Sequence, residues 1–124
     1  MSWGREILRA FLLAFGAMEI LTNLTFLLQK NGLVSARKWH RELPPQIPDH
    51  NIRGKAVLML LFGCIFFAVS LSSYMVHKYM PVFYTISSGL FCIYAILEAF
   101  YYKYWKTFGF AAVSILLMVI SIII

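Results

Sequence analysis

Residues 7–28 read ILRAFLLAFGAMEILTNLTFLL. A helix that crosses a bilayer needs about 20 mainly apolar residues, and this run supplies them. One acid, Glu19, sits near its middle, and Arg5 and Arg9 stand at its amino end. A basic start before an apolar stretch also describes a secretory signal. The run is too long for that, and Phe15-Gly16-Ala17 is a poor cleavage site, so the segment reads as a retained first span. Asn31-Gly32 predicts its end, because glycine takes the left-handed conformation that closes a helix.

Working outward, three more apolar runs follow at 56–76, 82–102 and 108–124. The 124 residues are 61% apolar and only 13% charged, whereas a soluble domain carries about 25% charged residues. That excludes a soluble globular enzyme, a disordered tail and a collagen-like or coiled-coil rod. The expected fold is all-α: a polytopic membrane protein, a four-transmembrane-helix bundle forming a single membrane domain over 1–124. One basic loop, 29–55, separates helices 1 and 2.

Within that loop, Leu33 to Leu43 predicts a short interfacial helix anchored by Leu33, Trp39 and Leu43. Pro44, Pro45 and Pro48 stop it, and Asp49 or Asn51 is placed to cap the next helix. His77 to Pro81 forms a tight connection. Phe100, Tyr101, Tyr102, Tyr104 and Trp105 read as an interfacial belt. Cys64 and Cys92 both fall inside apolar runs, which suits packing residues better than a disulfide.

The net charge is +6. The basic residues cluster at the ends of apolar runs, which points to topology and anionic lipid headgroups rather than nucleic acid. Lys and Arg number 8 on the side of the 29–55 loop and 3 on the side of the termini. The positive-inside rule then puts the loop in the cytoplasm and both termini outside. Arg37, Lys38, Arg41 and Arg53 are the expected headgroup contacts. With no targeting signal or tail in view, a bacterial inner (cell) membrane is the expected location.

Glu19 is the sharpest signal of chemistry. An ionised side chain at mid-bilayer costs at least about 2.5–3.5 kcal/mol. Helical spacing groups it with Gly16, Thr22 and Asn23 on one small, polar face, which should turn into the bundle rather than towards lipid. A carboxyl held there can exchange a proton for a cation. It can equally serve as a protonated hydrogen-bonding link between helices. Glu98 is the second intramembrane acid, at a depth similar to Asn23, with Lys103 and Lys106 within reach. Tyr84 and Tyr94 lie within the third span and suit a pocket for lipophilic cations through their ring faces.

His40, Glu42, Asp49 and His50 match no metal-ligand spacing, so neither a metal nor a cofactor is expected. A lipid-headgroup enzyme with His40 or His50 as general base lacks a nucleophile or phosphate motif, and the chain is not expected to be an enzyme.

Tyr84-Thr85-Ile86-Ser87-Ser88-Gly89 follows a proline. It is similar to the Tyr-x-Ile-Trp-Ser-Gly stretch of the small multidrug resistance transporters. Four helices in a short chain with one embedded acid in helix 1 also resemble that family. The resemblance implies that Glu19 is a proton- and substrate-binding carboxylate, that Tyr84 helps line the pocket, and that the protein works as a homodimer. Ser87 stands where the family has tryptophan, and the 29–55 loop is longer than the family's.

The expected function is therefore proton-coupled transport of small or lipophilic cations by a site of Glu19, Asn23, Tyr84 and Glu98. A non-catalytic accessory subunit bound to a larger membrane complex is the alternative.

Overall fold

Hydrocarbon offers no partner to backbone N–H and C=O groups, so an apolar chain that enters it is driven to satisfy them internally as helix. The computed structural model describes residues 3–44 and 46–124; Pro45, one of the expected helix stops, lies outside the described residues. Five helices follow in order: α1 (Trp3–Leu28), α2 (Gly32–Trp39), α3 (Asp49–Met75), α4 (Pro81–Tyr102) and α5 (Trp105–Ile123). No strand occurs among the described residues. Four of the helices, α1, α3, α4 and α5, are long and apolar enough to cross a membrane.

The largest departure from the sequence reading is at the start of α3. The helix begins at Asp49, so the last residues of the expected loop are helical. Pro48, at φ −62°, stands just before it, and no side chain caps the helix. Asp49 instead pairs with Arg37 at 2.8 Å. The early start is tolerated because Lys55, in the second turn, finds a buried partner in Glu98 and a part-exposed one in Glu42. The interfacial helix is also shorter than expected and ends at Trp39. Leu43 is no lipid anchor: it is buried against Ala36 and Ile52 in a small core beneath the loop. Trp39 does remain exposed.

Successive spans pair side by side, α1 with α3 and α4 with α5. The first seam is set by two glycines. A Cβ on Gly16 would stand 2.7 Å from the Gly63 carbonyl oxygen, and one on Gly63 would stand 2.9 Å from the Glu19 Cβ. Small residues permit this close approach of backbones, which supplies van der Waals contact where lipid leaves no hydrophobic drive. The second seam uses Ala95, Ala99 and Ala111, with Ser88 and Ser121 hydroxyls 2.9 Å apart. Phe15, Phe62, Phe66, Phe91 and Phe110 stack between the two pairs in edge-to-face contacts. Cys64 is exposed, Cys92 is buried, and both are free. Lys103, at φ 51°, is the left-handed residue that turns α4 into α5.

Candidate functional site

The polar face of α1 does turn inward: Gly16, Glu19 and Asn23 are all buried. Thr22 does not join them, and its hydroxyl donates to the Met18 carbonyl at 2.7 Å. Asn23 Nδ2 donates to Glu19 Oε2 at 2.6 Å and to the Glu19 carbonyl at 2.8 Å. With the amide nitrogen so committed, Asn23 Oδ1 must accept. Its partner is His40 Nε2 at 2.7 Å, which therefore carries a proton.

His40 caps the end of α2 and is only 3% exposed. Its ring meets that of Phe26 of α1 in an edge-to-face contact. Its other nitrogen, Nδ1, lies 3.6 Å from Glu42 Oε1, longer than a well-formed hydrogen bond. A second proton on the ring would point at that carboxylate. Burial works to raise the Glu42 carboxyl, but the His40 ring and the Lys55 ammonium outweigh it and hold the group at about 2. Thr107 of α5 donates to the Glu42 carbonyl at 2.6 Å and pins the loop to the bundle.

Lys55 continues the chain of contacts. Its Nζ is 3.1 Å from Glu42 Oε1 and 2.8 Å from Glu98 Oε1. It also stands 4.0 Å from the Phe110 ring centroid and 5.0 Å from that of Tyr94. Tyr94 donates its hydroxyl proton to the second Glu98 oxygen. A series of polar groups thus runs from Glu19 through Asn23 to His40 and, across the 3.6 Å gap to Glu42, on through Lys55 and Glu98 to Tyr94. It holds three carboxyl groups against one lysine and one histidine. The Glu42 side chain is 20% exposed, while Glu19, Asn23, His40, Lys55 and Glu98 are all buried. Glu42 is therefore the most exposed of the three carboxyl groups.

Of the residues expected from sequence, Glu19, Asn23 and Glu98 belong to this series. Asn23 and Glu98 do not touch; His40, Glu42 and Lys55 stand between them. Lys55 pairs with Glu98, where the sequence pointed to Lys103 or Lys106, and Lys106 lies over the Trp105 ring. Tyr84 sits towards the opposite end. Its hydroxyl donates to Ser70 Oγ at 3.1 Å, and its ring stacks on Tyr79 at 4.8 Å. Near that end Arg9 is buried, donating to the Ser73 carbonyl and hydroxyl and pairing with Glu6 at 3.2 Å. Arg9, taken from sequence as a flanking charge, is thus an interior residue.

The expected headgroup contacts lie on the loop side. Lys38, Arg41 and Arg53 are exposed, and Arg37 is half-buried in its pair with Asp49. Among the described residues no group of three or more His, Cys, Asp or Glu is arranged to hold a metal ion.

Sequence reasoning missed Lys55 and gave His40 and Glu42 other roles. One signal was available. Lys55 opens the second apolar run and Glu98 closes the third, so both fall at the same membrane face.

Compared with known proteins, the chain matches no family model, no curated protein and no solved structure. Its own fold places it in a class. It is a small multi-pass integral membrane protein, an all-helical bundle with a buried polar series leading inward from the loop side.

Proposed function

We propose that this protein is a small proton-coupled transporter of small or lipophilic cations, with Glu19 as its inner proton-binding carboxylate. The observation that carries the reading is the hydrogen-bonded run from His40 through Asn23 to Glu19, with part-exposed Glu42 3.6 Å from the outer nitrogen of His40. Imidazole is the side chain whose charge changes most readily near neutral pH. In this mechanism the ionised Glu42 carboxylate draws an entering proton onto Nδ1 of His40, and a proton leaves from Nε2 along the Asn23 contact towards Glu19. Asn23 orients the two ends but holds no exchangeable charge, so this last transfer requires the His40 ring or a water molecule to bridge it. In the proposed setting the loop faces the cytoplasm, both termini lie outside, and the membrane is a bacterial inner membrane.

The test is flux in proteoliposomes under an imposed pH gradient. Glu19→Gln should abolish proton-coupled uptake of a lipophilic cation such as tetraphenylphosphonium while the variant still folds and inserts. Wild-type flux in that variant would end the proposal.

A second reading is favoured by one observation: the Glu19 Cβ lies hard against the Gly63 position in the α1–α3 seam. In that reading the series is a structural lock within an accessory subunit of a larger membrane complex. Extraction in mild detergent should then recover a stoichiometric membrane-protein partner, and a homodimer alone would count against it.

A further inference from the structure

On the loop side, where α1 ends and α3 begins, lies a cavity of about 210 Å³. Lys30 and Arg53 line it, together with Phe26, Leu27, Leu33 and Val34. One space thus meets two cations and four apolar residues. We propose that this cavity holds the phosphate of an anionic phospholipid, with Lys30 and Arg53 as its counter-ions.

Charge selects an anion. Lys30 and Arg53 are exposed, and among the described residues neither has an ion-pair partner. Asp49 is the one acid in the lining. Its Oδ1 is held by Arg37 at 2.8 Å, so its charge is already balanced. Two positive charges are left in surplus, which repels an entering cation and favours an anion. Guanidinium matches phosphate oxygens with paired N–H donors, and a lysine ammonium serves the same group as a point charge. Gln29 and Asn31 add side-chain amides to the lining. Asn31 makes no capping bond to α2, so its amide is available to a phosphate oxygen.

The apolar lining selects a lipid over free phosphate. Phe26, Leu27, Leu33 and Val34 offer nothing to an inorganic ion, but they suit the first carbons of an acyl chain. On α1, Leu24 stands one turn before Leu27 and Leu21 a turn further, and both are exposed. A chain leaving the cavity therefore has an apolar track along the span. A water occupies about 30 Å³, so the space takes a headgroup and leaves the tails outside, where the bilayer receives them.

The cavity also sharpens the basic face read from sequence. Arg37 is committed to Asp49, and Lys38 and Arg41 are not among the lining residues. Arg53 remains, and Lys30 joins it. That difference supplies a charge-matched control, because Lys38 and Arg41 are exposed cations of the same loop.

The experiment is native mass spectrometry of the full chain released from dodecylmaltoside micelles. The probes are dioleoylphosphatidylglycerol, dioleoylphosphatidylcholine with the same tails, and glycerol 3-phosphate as the soluble source of the phosphate. Wild type should retain one phosphatidylglycerol saturably, with phosphatidylcholine and glycerol 3-phosphate each at least about tenfold weaker. The Lys30→Gln/Arg53→Gln variant should lose at least about tenfold in phosphatidylglycerol affinity at an unchanged melting temperature. The Lys38→Gln/Arg41→Gln variant, which removes the same charge, should bind as wild type does. Equal losses in the two variants would reduce the effect to diffuse attraction and overturn the site. Undiminished binding by Lys30→Gln/Arg53→Gln, or equal affinity for the two lipids, would overturn it as well. Glycerol 3-phosphate binding as tightly as the lipid would overturn the lipid assignment in favour of a free phosphate. None of these outcomes depends on flux, so the transporter reading stands or falls separately.

Discussion

Lys55 Nζ lies 2.8 Å from Glu98 Oε1, joining residues 43 positions apart in the chain. Their side chains are 1% and 6% exposed. Pairing two charges away from water gains little over a well-packed apolar pair, but removing one partner leaves the other uncompensated. The contact thus ties α3 to α4 at the loop side, beyond the Phe62–Phe91 and Phe66–Phe91 ring contacts and the Tyr84–Ser70 hydrogen bond.

Lys55→Met should therefore cost about 3–5 kcal/mol, the penalty for stranding a buried charge. Adding Glu98→Gln should recover much of that loss, because Glu42 is part-exposed and can hydrate. Reversible unfolding in mixed micelles across a double-mutant cycle measures both. A double variant no more stable than the single would show that the pair is not the source of the cost.

Acid should weaken the protein in a defined window. Folding depresses the Glu42 carboxyl from its ordinary 4.5 to about 2. A group depressed on folding binds fewer protons in the native state, so its contribution is fully present above the unfolded value and fades as pH falls. Stability should decline between about pH 4.5 and about 2. Glu42→Gln should flatten that part of the curve, which thermal melts at a series of pH values would reveal.

The α1–α3 seam should tolerate no added carbon. Gly16→Ala would place a Cβ 2.7 Å from backbone atoms of Gly63 and Phe67, and overpacking of this kind costs about 1–3 kcal/mol. Gly109→Ala is the control, since a Cβ there meets nothing within 4 Å. Alanine is also the better helix former by about 1 kcal/mol, so that variant should be neutral or stabilised. Melting temperatures of the two variants would separate the effects.

Tyr84→Phe should remove one buried hydrogen bond, to Ser70, at about 1 kcal/mol. Because Tyr84 packs with Tyr79 away from the series, Glu19-dependent flux should be unchanged. A flux loss comparable to that of Glu19→Gln would show that the two ends of the bundle act together, and a proteoliposome assay decides it.

Much of the architecture was legible in residues 7–28 and in the three later runs. Hydropathy acts on each segment by itself, so length and composition suffice to call for four spans, and an embedded Glu19 with Asn23 one turn on must face protein. What no single segment contains is its neighbour. Whether Glu98 meets Lys103, Lys106 or Lys55 depends on which helices lie side by side and how each is rotated. Those rotations follow from the Gly16–Gly63 approach and from Thr107 holding the loop against α5. His40 became an interior residue for the same reason: the loop folds back beneath α1, and only then does an imidazole from a polar stretch reach Asn23. Burial of apolar length is a local property of the chain, whereas the pairing of buried charges is a property of packed surfaces and exists only once the helices have met.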